Sequence, residues 1–390
     1  MRGGGSTRRR VVVVGGGIAG VSAAWALAEH HDVVLLEAER ELGAHATGRS
    51  AATLSETSGH RSVCALARAS RPFLEAPPPG FADHPLTRPR GLLWIGRDGD
   101  APVLDEMAGL AASGIAPTAE RVDADRARAI LPALRPAAVT AGGLWEPDAR
   151  ALDVAGLLAA YARGARARGA ELRRASEVIR LTWSARRGWT VETAAGDLAA
   201  DVVVNAAGAW ADVVAERAGV DPVGLRPLRR TACLVPAPAE VATWPLVMDG
   251  GGRCYFEPES GGLLVSPADE HPSAPIDAVA EEEDVAWALD MLRETVELRV
   301  RSVRRAWAGL RTFAPDRVPV MGWDPARPGF CWLAGQGGAG IKTAPALAAT
   351  VAAIVGEAPW PADLAGLGVT ADVLDPGRPR TAALSPPARG

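Results

Sequence analysis

The run Arg10-Val11-Val12-Val13-Val14, followed at once by Gly15, Gly17 and Gly20, leaves a chain few ways to fold. Four consecutive β-branched residues are too few for a helix and suit a strand covered on both faces, as in a parallel sheet. The glycines fit G-x-G-x-x-G, in which one permits a tight turn, one lets the backbone approach a pyrophosphate and one lets a helix pack on the strand. Ile18 and Ala19 lie inside this fingerprint, and residues 21–29 carry small and apolar side chains at helical spacing. A second apolar run, 33–36, ends in Glu37 and Ala38. A carboxylate at that distance holds a ribose hydroxyl while the helix N-terminus holds phosphate. A Rossmann-like dinucleotide site is therefore expected at the start of the chain.

Size and charge narrow the function. A chain of 390 residues with 48% hydrophobic content buries a sizeable core in one or two joined domains. Its 42 basic and 46 acidic residues leave a net charge of −4 without long runs of one sign. Nucleic acid and anionic membranes thus find no electrostatic footprint, and a small molecule is the expected partner. Cys64, Cys233, Cys254 and Cys331 are scattered and form no C-x-x-C, which argues against a zinc site and a disulfide framework and fits a reduced, cytoplasmic setting. His45, His60 and His84 show no ligand spacing, read as structural or surface residues, and leave no metal expected. No apolar stretch reaches membrane-spanning length. Arg8-Arg9-Arg10 before the valines belongs to the fingerprint rather than to a secretory signal, and residues 1–7 read as a loose tail.

Periodicity and breakers predict helices over 62–75, 101–114, 123–130, 153–168, 280–294 and 341–355. Strands are predicted at 91–95, 171–180, 188–193, 202–204, 229–236, 254–257, 262–266 and 330–334, with 307–311 as a connector. The apolar strand 202–204 runs into Asn205-Ala206-Ala207-Gly208 more than 150 residues after the fingerprint, so the nucleotide domain is discontinuous. The expected fold class is α/β with an α+β second domain. Residues 8–84, 146–223 and 309–373 form the Rossmann-like part, 85–145 and 224–308 an inserted antiparallel-sheet domain, and 374–390 a surface tail.

The motifs VVVVGGGIAGVSAAWAL, HATGRSAA, DVVVNAAGAWAD, RCYFEP, WAGLRTFAPD, FCWLAGQGGAGIKTAPA and ALSP together make the chain resemble the D-amino-acid oxidase superfamily of FAD-dependent oxidoreductases. The likeness covers nearly the whole length and is greatest to members of the D-arginine dehydrogenase type. It implies a glutathione-reductase-type domain with noncovalent FAD. The adenosine half would lie at Gly15 to Gly20 and Glu37, with its adenine edge near Val178 and the turn at Gly208. The flavin would be bedded on Ala46, Thr47, Gly48, Arg49, Ser50, Ala51, Ala52 and Thr53. The loop Gly337, Gly338, Ala339, Gly340, Ile341 opens a helix, so its N–H groups and dipole would face the flavin pyrimidine, where negative charge appears on reduction. No separate NAD(P)H domain is visible. Electrons should therefore come from an organic substrate and pass to dioxygen, a quinone or another acceptor.

For an amino acid the strongest handle is its carboxylate, and arginine is the suitable clamp. Arg230 in LRPLRRTAC and Arg311 in GLRTF match family positions for that role. Tyr255 matches a hydroxyl that shares the carboxylate, and the carbonyl of Gly338 would orient the amine, with no side-chain base required. Leu92 stands where the compared family members carry a glutamate for a guanidinium, and Thr53 and Ser58 stand where they carry a histidine and a lid tyrosine. The resulting pocket is wider and less negative, which disfavours a cationic substrate, although Asp83 and Glu56 are nearby acids. The expected reaction is oxidation of the Cα–N bond of a neutral or bulky D-amino acid by hydride transfer to flavin N5. The alternatives are a secondary or cyclic amine, an N-methyl amino acid, a 2-hydroxy acid, an NADPH-dependent monooxygenase, or flavin binding without turnover. Lys342 is the single lysine of the chain. It is expected near flavin N1 and C2=O or on the path of oxygen, where a compact cation stabilises negative charge.

Overall fold

The computed structural model describes residues 8–381; the expected N-terminal tail and the ALSP motif lie outside the described residues. Arg10–Val14 pairs in parallel with Asp32–Leu36 on one side and Val202–Asn205 on the other. Glu171–Arg173, Phe330–Ala334 and the antiparallel edge strand Val320–Trp323 complete a six-stranded sheet. Successive side chains of a strand point to opposite faces, and the valines divide accordingly. Val11 and Val13 join a core with Val21, Leu157 and Leu347 of the helices Ile18–Leu27, Val154–Ala167 and Gly340–Val355. Val12 and Val14 join a second core with Trp189, Val191 and Val214. The turn after the first strand requires glycine: Gly15 has φ +109°, and a Cβ there would lie 2.5 Å from the Ala206 carbonyl oxygen.

A ten-stranded, mainly antiparallel sheet forms the second layer. Its path runs from Gln336–Gly337 through Arg305–Phe313, Arg226–Pro236, Gly262–Ser266, Tyr255–Glu259, Leu246–Asp249, Leu92–Ile95 and Gly143–Glu146 to Glu120–Val122. The back face packs Cys233, Val235, Phe256 and Val265 against Leu292 of the helix Glu282–Thr295. The front face carries Arg230, Tyr255 and Arg311 into the cleft that holds the fingerprint turn. The α/β fold with an antiparallel sheet inserted between segments of a Rossmann-like sheet is thus present.

Three local expectations differ from the structure. The connector expected at 307–311 is the middle of a nine-residue strand, Arg305–Phe313, which pairs along its whole length with Arg226–Pro236 and crosses the boundary expected at 308. The strand expected over 171–180 breaks in two around Ala175, whose φ is +49°. A small sheet of Ala52–Leu54, Arg150–Leu152 and Thr87–Pro89 was not foreseen. Among the described residues, no helix is long and apolar enough to cross a membrane.

Candidate active site

The fingerprint turn and the front of the antiparallel sheet enclose a cleft of about 410 Å³, an ordinary size for a ligand site. Its lining includes Gly15, Gly17, Ile18, Ala19, Glu37 and Ala38, then Ala46, Thr47, Arg49, Ser50 and Ala51, with Val178 and Gly208 beside the first group. Gly337, Gly338, Gly340 and Ile341 close the side nearest Arg230, Tyr255 and Arg311. Gly20 in the first turn of the helix Ile18–Leu27, Ala52 at the head of the strand Ala52–Leu54, and Gly48 and Ala339 in the loops do not line the cleft.

The donors and acceptors suit a dinucleotide. The helices Ile18–Leu27 and Gly340–Val355 both begin at the cleft, and neither N-cap, Gly17 or Ala339, makes a side-chain capping bond. First-turn N–H groups therefore remain for an anionic or polar ligand, apart from that of Ile18, which donates to Thr47 Oγ1 at 3.0 Å. Glu37 accepts from the N–H groups of Gly16 at 2.5 Å and Glu39 at 2.7 Å, which holds its carboxylate along the turn. Two lining side chains, His45 and Gln336, keep a buried ring or amide nitrogen without a hydrogen-bond partner among the described residues. Buried polar atoms of this kind call for a ligand or water. Arg49 fixes the loop by donating to the carbonyls of Ala278 at 2.7 Å and Ala308 at 2.9 Å, while Trp307 Nε1 donates back to the Arg49 carbonyl at 3.0 Å.

At the sheet end, Arg311 Nη2 donates to Tyr255 Oη at 3.1 Å. The Arg311 and Arg230 guanidinium carbons lie 5.7 and 6.0 Å from the Tyr255 ring centroid. Arg230 is braced from behind: Nε donates to the Asp269 carbonyl at 2.6 Å and Nη2 to Glu270 at 3.0 Å, and Glu270 also pairs with Arg317. Burial pushes Arg230 down to about 10, with the Arg311 charge adding to the effect. Among the described residues Arg311 forms no ion pair. Arg230 and Arg317 thus share the Glu270 carboxylate while Arg311 has none, and the excess positive charge fits a carboxylate-bearing ligand. A Cβ on Gly338 would lie 2.9 Å from Arg311 Nη1, so the Gly338 backbone passes against that guanidinium.

Four residues expected at the substrate do not line this cleft. Lys342 is buried, and its ammonium donates to the carbonyls of Ser55 at 2.9 Å and Ser58 at 2.8 Å and to Ser58 Oγ at 2.8 Å. All three of its protons are engaged by the segment 55–58, which places its charge there instead of on the flavin side. Helical side chains tilt towards the helix N-terminus, and that tilt directs Lys342 to this segment. Ser58 is spent on Lys342. Leu92 is fully buried in a central strand, in the core that includes Leu54, Trp94 and Leu144. Thr53 Oγ1 donates to Glu257 at 3.3 Å. Of the acids thought able to replace the missing glutamate, Glu56 is held by Arg71 and Arg68, and Asp83 pairs with Arg163.

Several lining residues escaped sequence reasoning. His45, counted as structural or surface, packs against Trp210 with ring centroids 4.6 Å apart and planes tilted by 45°, and both line the cleft. Ala232, Leu264 and Trp307 floor its sheet end. For Ala232 and Trp307 the signal was the alternation of the strands that carry Arg230 and Arg311, since residues two apart share a face; Leu264 lies on the neighbouring strand Gly262–Ser266 and pairs with Leu234.

Residues 10–354 match the DAO family, FAD dependent oxidoreductase. Over 235 residues the chain is 28% identical to glycine oxidase of Geobacillus kaustophilus (strain HTA426), covering 59% of this chain and 60% of that protein. Over 201 residues it is 28% identical to mitochondrial dimethylglycine dehydrogenase of Mus musculus, covering 46% of this chain and 23% of that protein. The chain therefore spans less than two thirds of the length of either curated relative. The crystal structure of glycine oxidase from Geobacillus kaustophilus matches with a TM-score of 0.78 at 26% identity, over 90% of this chain and 95% of that one. With a dinucleotide cleft at the join of its two sheets and a family match over most of its length, the chain belongs to the DAO family of FAD-dependent oxidoreductases.

Proposed function

We propose that this protein oxidises the Cα–N bond of a neutral or bulky amino acid to an imine, which water converts to a 2-oxo acid and ammonia. The observation that carries this reading is the convergence of Arg311, Tyr255 and Arg230 on one end of the dinucleotide cleft. FAD, when bound, supplies the two-electron acceptor. Arg311 takes the substrate carboxylate, and Tyr255, already accepting from Arg311, turns its own O–H towards the same anion. Arg230, held by Asp269 and Glu270, supports the anion from the second side. The Gly338 carbonyl accepts from the amine and orients the α-hydrogen. Among the described residues, none of the sheet residues that line the cleft is an acid or a histidine. The amine therefore enters neutral, its lone pair forms the C=N bond as hydride departs, and the nitrogen proton passes to water.

The D configuration follows from the resemblance of the motifs, and the acceptor for the reduced enzyme is dioxygen or a quinone. A secondary amine such as an N-methylated glycine is the second reading, supported by the likeness to dimethylglycine dehydrogenase. Anaerobic bleaching of the flavin band tests both, with D- and L-amino acids, N-methylated glycines, 2-hydroxy acids and NADPH as donors. Reduction by neutral D-amino acids is expected. Reduction by NADPH alone, or by no amino donor, overturns the reading.

A further inference from the structure

The loop that follows the strand Arg305–Phe313 carries a cation that the proposed reaction does not use. Arg317, in the run Phe313-Ala314-Pro315-Asp316-Arg317, has φ +60°, a left-handed conformation that is costly for a residue with a side chain and that glycine adopts freely. Strained backbone of this kind persists only where its surroundings fix it, and here they do. The Arg317 N–H donates to the Ala314 carbonyl at 2.9 Å, and the Val318 N–H to Asp316 at 3.1 Å. Arg378, near the end of the described chain, donates to the two Asp316 carboxylate oxygens at 2.8 and 3.1 Å and to the Val318 carbonyl at 2.8 Å. The Arg317 guanidinium carbon lies 4.3 Å from the centroid of the Phe313 ring.

So placed, Arg317 reaches the acid behind the anion clamp. Its Nη1 donates to Glu270 Oε1 at 3.3 Å and its Nη2 to Glu270 Oε2, the parallel pair that a guanidinium forms with a carboxylate. Arg230 gives the same acid a single bond, Nη2 to Oε1 at 3.0 Å. Glu270 is therefore neutralised mainly by Arg317. Burial and the charge of Arg311 both act against the charge on Arg230, and a nearby anion offsets them. A carboxylate belonging wholly to Arg230, however, would neutralise the cation that a ligand needs. Two guanidinium groups on one acid meet both requirements.

We infer that Arg317 is a positioning residue for the anion clamp: by holding Glu270 through two bonds it keeps that acid from closing on Arg230, and so leaves Arg230 with charge for the substrate carboxylate. This rests on the reading above, in which Arg311, Tyr255 and Arg230 receive that carboxylate. Arg317 does not line the cleft and acts only through Glu270. Loss of Arg317 frees Glu270 to turn to Arg230, where it competes with the ligand as an internal anion. Loss of the Glu270 charge as well removes the competitor, and the clamp recovers. A residue that merely held its loop would instead give losses that accumulate when both are changed.

The test uses the FAD-loaded, full-length protein and acetate, with binding followed by perturbation of the flavin spectrum, which needs no turnover. Arg317→Gly removes the fork and installs at φ +60° the residue that adopts it without strain. Its melting temperature should hold while its acetate Kd rises about tenfold, the scale of one charge acting over several ångströms near a protein surface. Arg317→Asn, also tolerant of the left-handed region, repeats the measurement. Arg317→Lys should fall between the parent and the glycine variant, because it keeps the charge without the fork. Glu270→Gln should bind acetate at least as tightly as the parent, and Arg317→Gly combined with Glu270→Gln should return to within about threefold of it. With an amino acid that reduces the flavin, the loss in Arg317→Gly should appear in KM and leave the limiting reduction rate unchanged. A parent-like acetate Kd in Arg317→Gly and Arg317→Asn, a double variant weaker than either single one, or loss of the folded holoprotein in both replacements overturns the inference. Arg311→Ala separates it from the reading beneath: weaker acetate binding there with no effect at Arg317 leaves the clamp standing, whereas parent-like binding in Arg311→Ala sinks the clamp itself.

Discussion

Arg311 and Arg230 face the same ligand but differ in what already holds them, and their substitution should differ in the same sense. Among the described residues Arg311 has Tyr255 alone as a side-chain partner, whereas Arg230 is engaged by Glu270 and the Asp269 carbonyl. Arg311→Ala is expected to retain FAD and lose about 2–5 kcal/mol of transition-state binding, the range for truncating one partner of a buried charge pair. Arg230→Ala should lose less. Efficiency ratios from anaerobic flavin reduction check the order, and a loss below about 1 kcal/mol for Arg311→Ala removes the clamp. Lys342→Met should strip donors from the carbonyls of Ser55 and Ser58 and cost about 1–3 kcal/mol of stability for each group left unpaired, with the flavin midpoint potential unmoved. A shifted potential with unchanged stability would return Lys342 to the flavin. These residues mark how far the site was legible. The arginines stand in motifs whose geometry follows from strand alternation. The rarity of Lys342 marks it as significant but carries no direction, which only the packing of its helix against segment 55–58 supplies.

That segment shows how one element is held by several others. Glu146 accepts from Ser55 Oγ at 2.8 Å, Thr57 Oγ1 at 2.6 Å and the Glu56 N–H at 2.7 Å, and Trp94 Nε1 donates to Thr57 Oγ1 at 2.9 Å. Lys342 grips the two ends of the same segment, Ser55 and Ser58, from the helix Gly340–Val355. Burial raises the Glu146 carboxyl above its ordinary value of 4.5, so the folded chain holds that proton more tightly than the unfolded one. The resulting stabilisation is complete below about pH 4.5 and is lost as pH rises through the folded-state value. Glu146→Gln cannot titrate and should flatten this part of the stability curve, as urea midpoints between about pH 4 and pH 7 will show. An unchanged pH dependence would remove Glu146 from the account. Strands with continuous apolar runs, such as Gly262–Ser266 and Phe330–Ala334, could be read from composition to their last residue. Arg305–Phe313 could not, because Gly309 and two arginines interrupt its pattern and its stability comes from its partner. Ala52–Leu54, three residues long, carries too little periodicity to signal a strand.

For the molecule as a whole, the cofactor should act as a structural ligand. FAD bound only by the folded chain adds about 2.7 kcal/mol at a hundredfold excess over its Kd, so the melting temperature of apoprotein should climb with FAD concentration. A melting temperature indifferent to FAD would contradict the assigned cleft. Release of intact FAD by acid or heat is also expected, because Cys64, Cys233, Cys254 and Cys331 are buried away from the cleft. Burial pushes Cys64 and Cys233 up to about 11 and Cys254 and Cys331 up to about 12, which leaves little thiolate for a flavin bond near neutrality. Flavin retained by the precipitate would overturn this. The strand Arg305–Phe313 has a consequence for modularity. It is laced to Arg226–Pro236 by nine successive pairs and to Gln336–Gly337 on its other side. The antiparallel layer therefore cannot be lifted out as a transplantable cassette of 85–145 and 224–308: the cut would bare a long strand edge that pairs with any neighbouring chain, and excised fragments should precipitate unless co-expressed with the remainder.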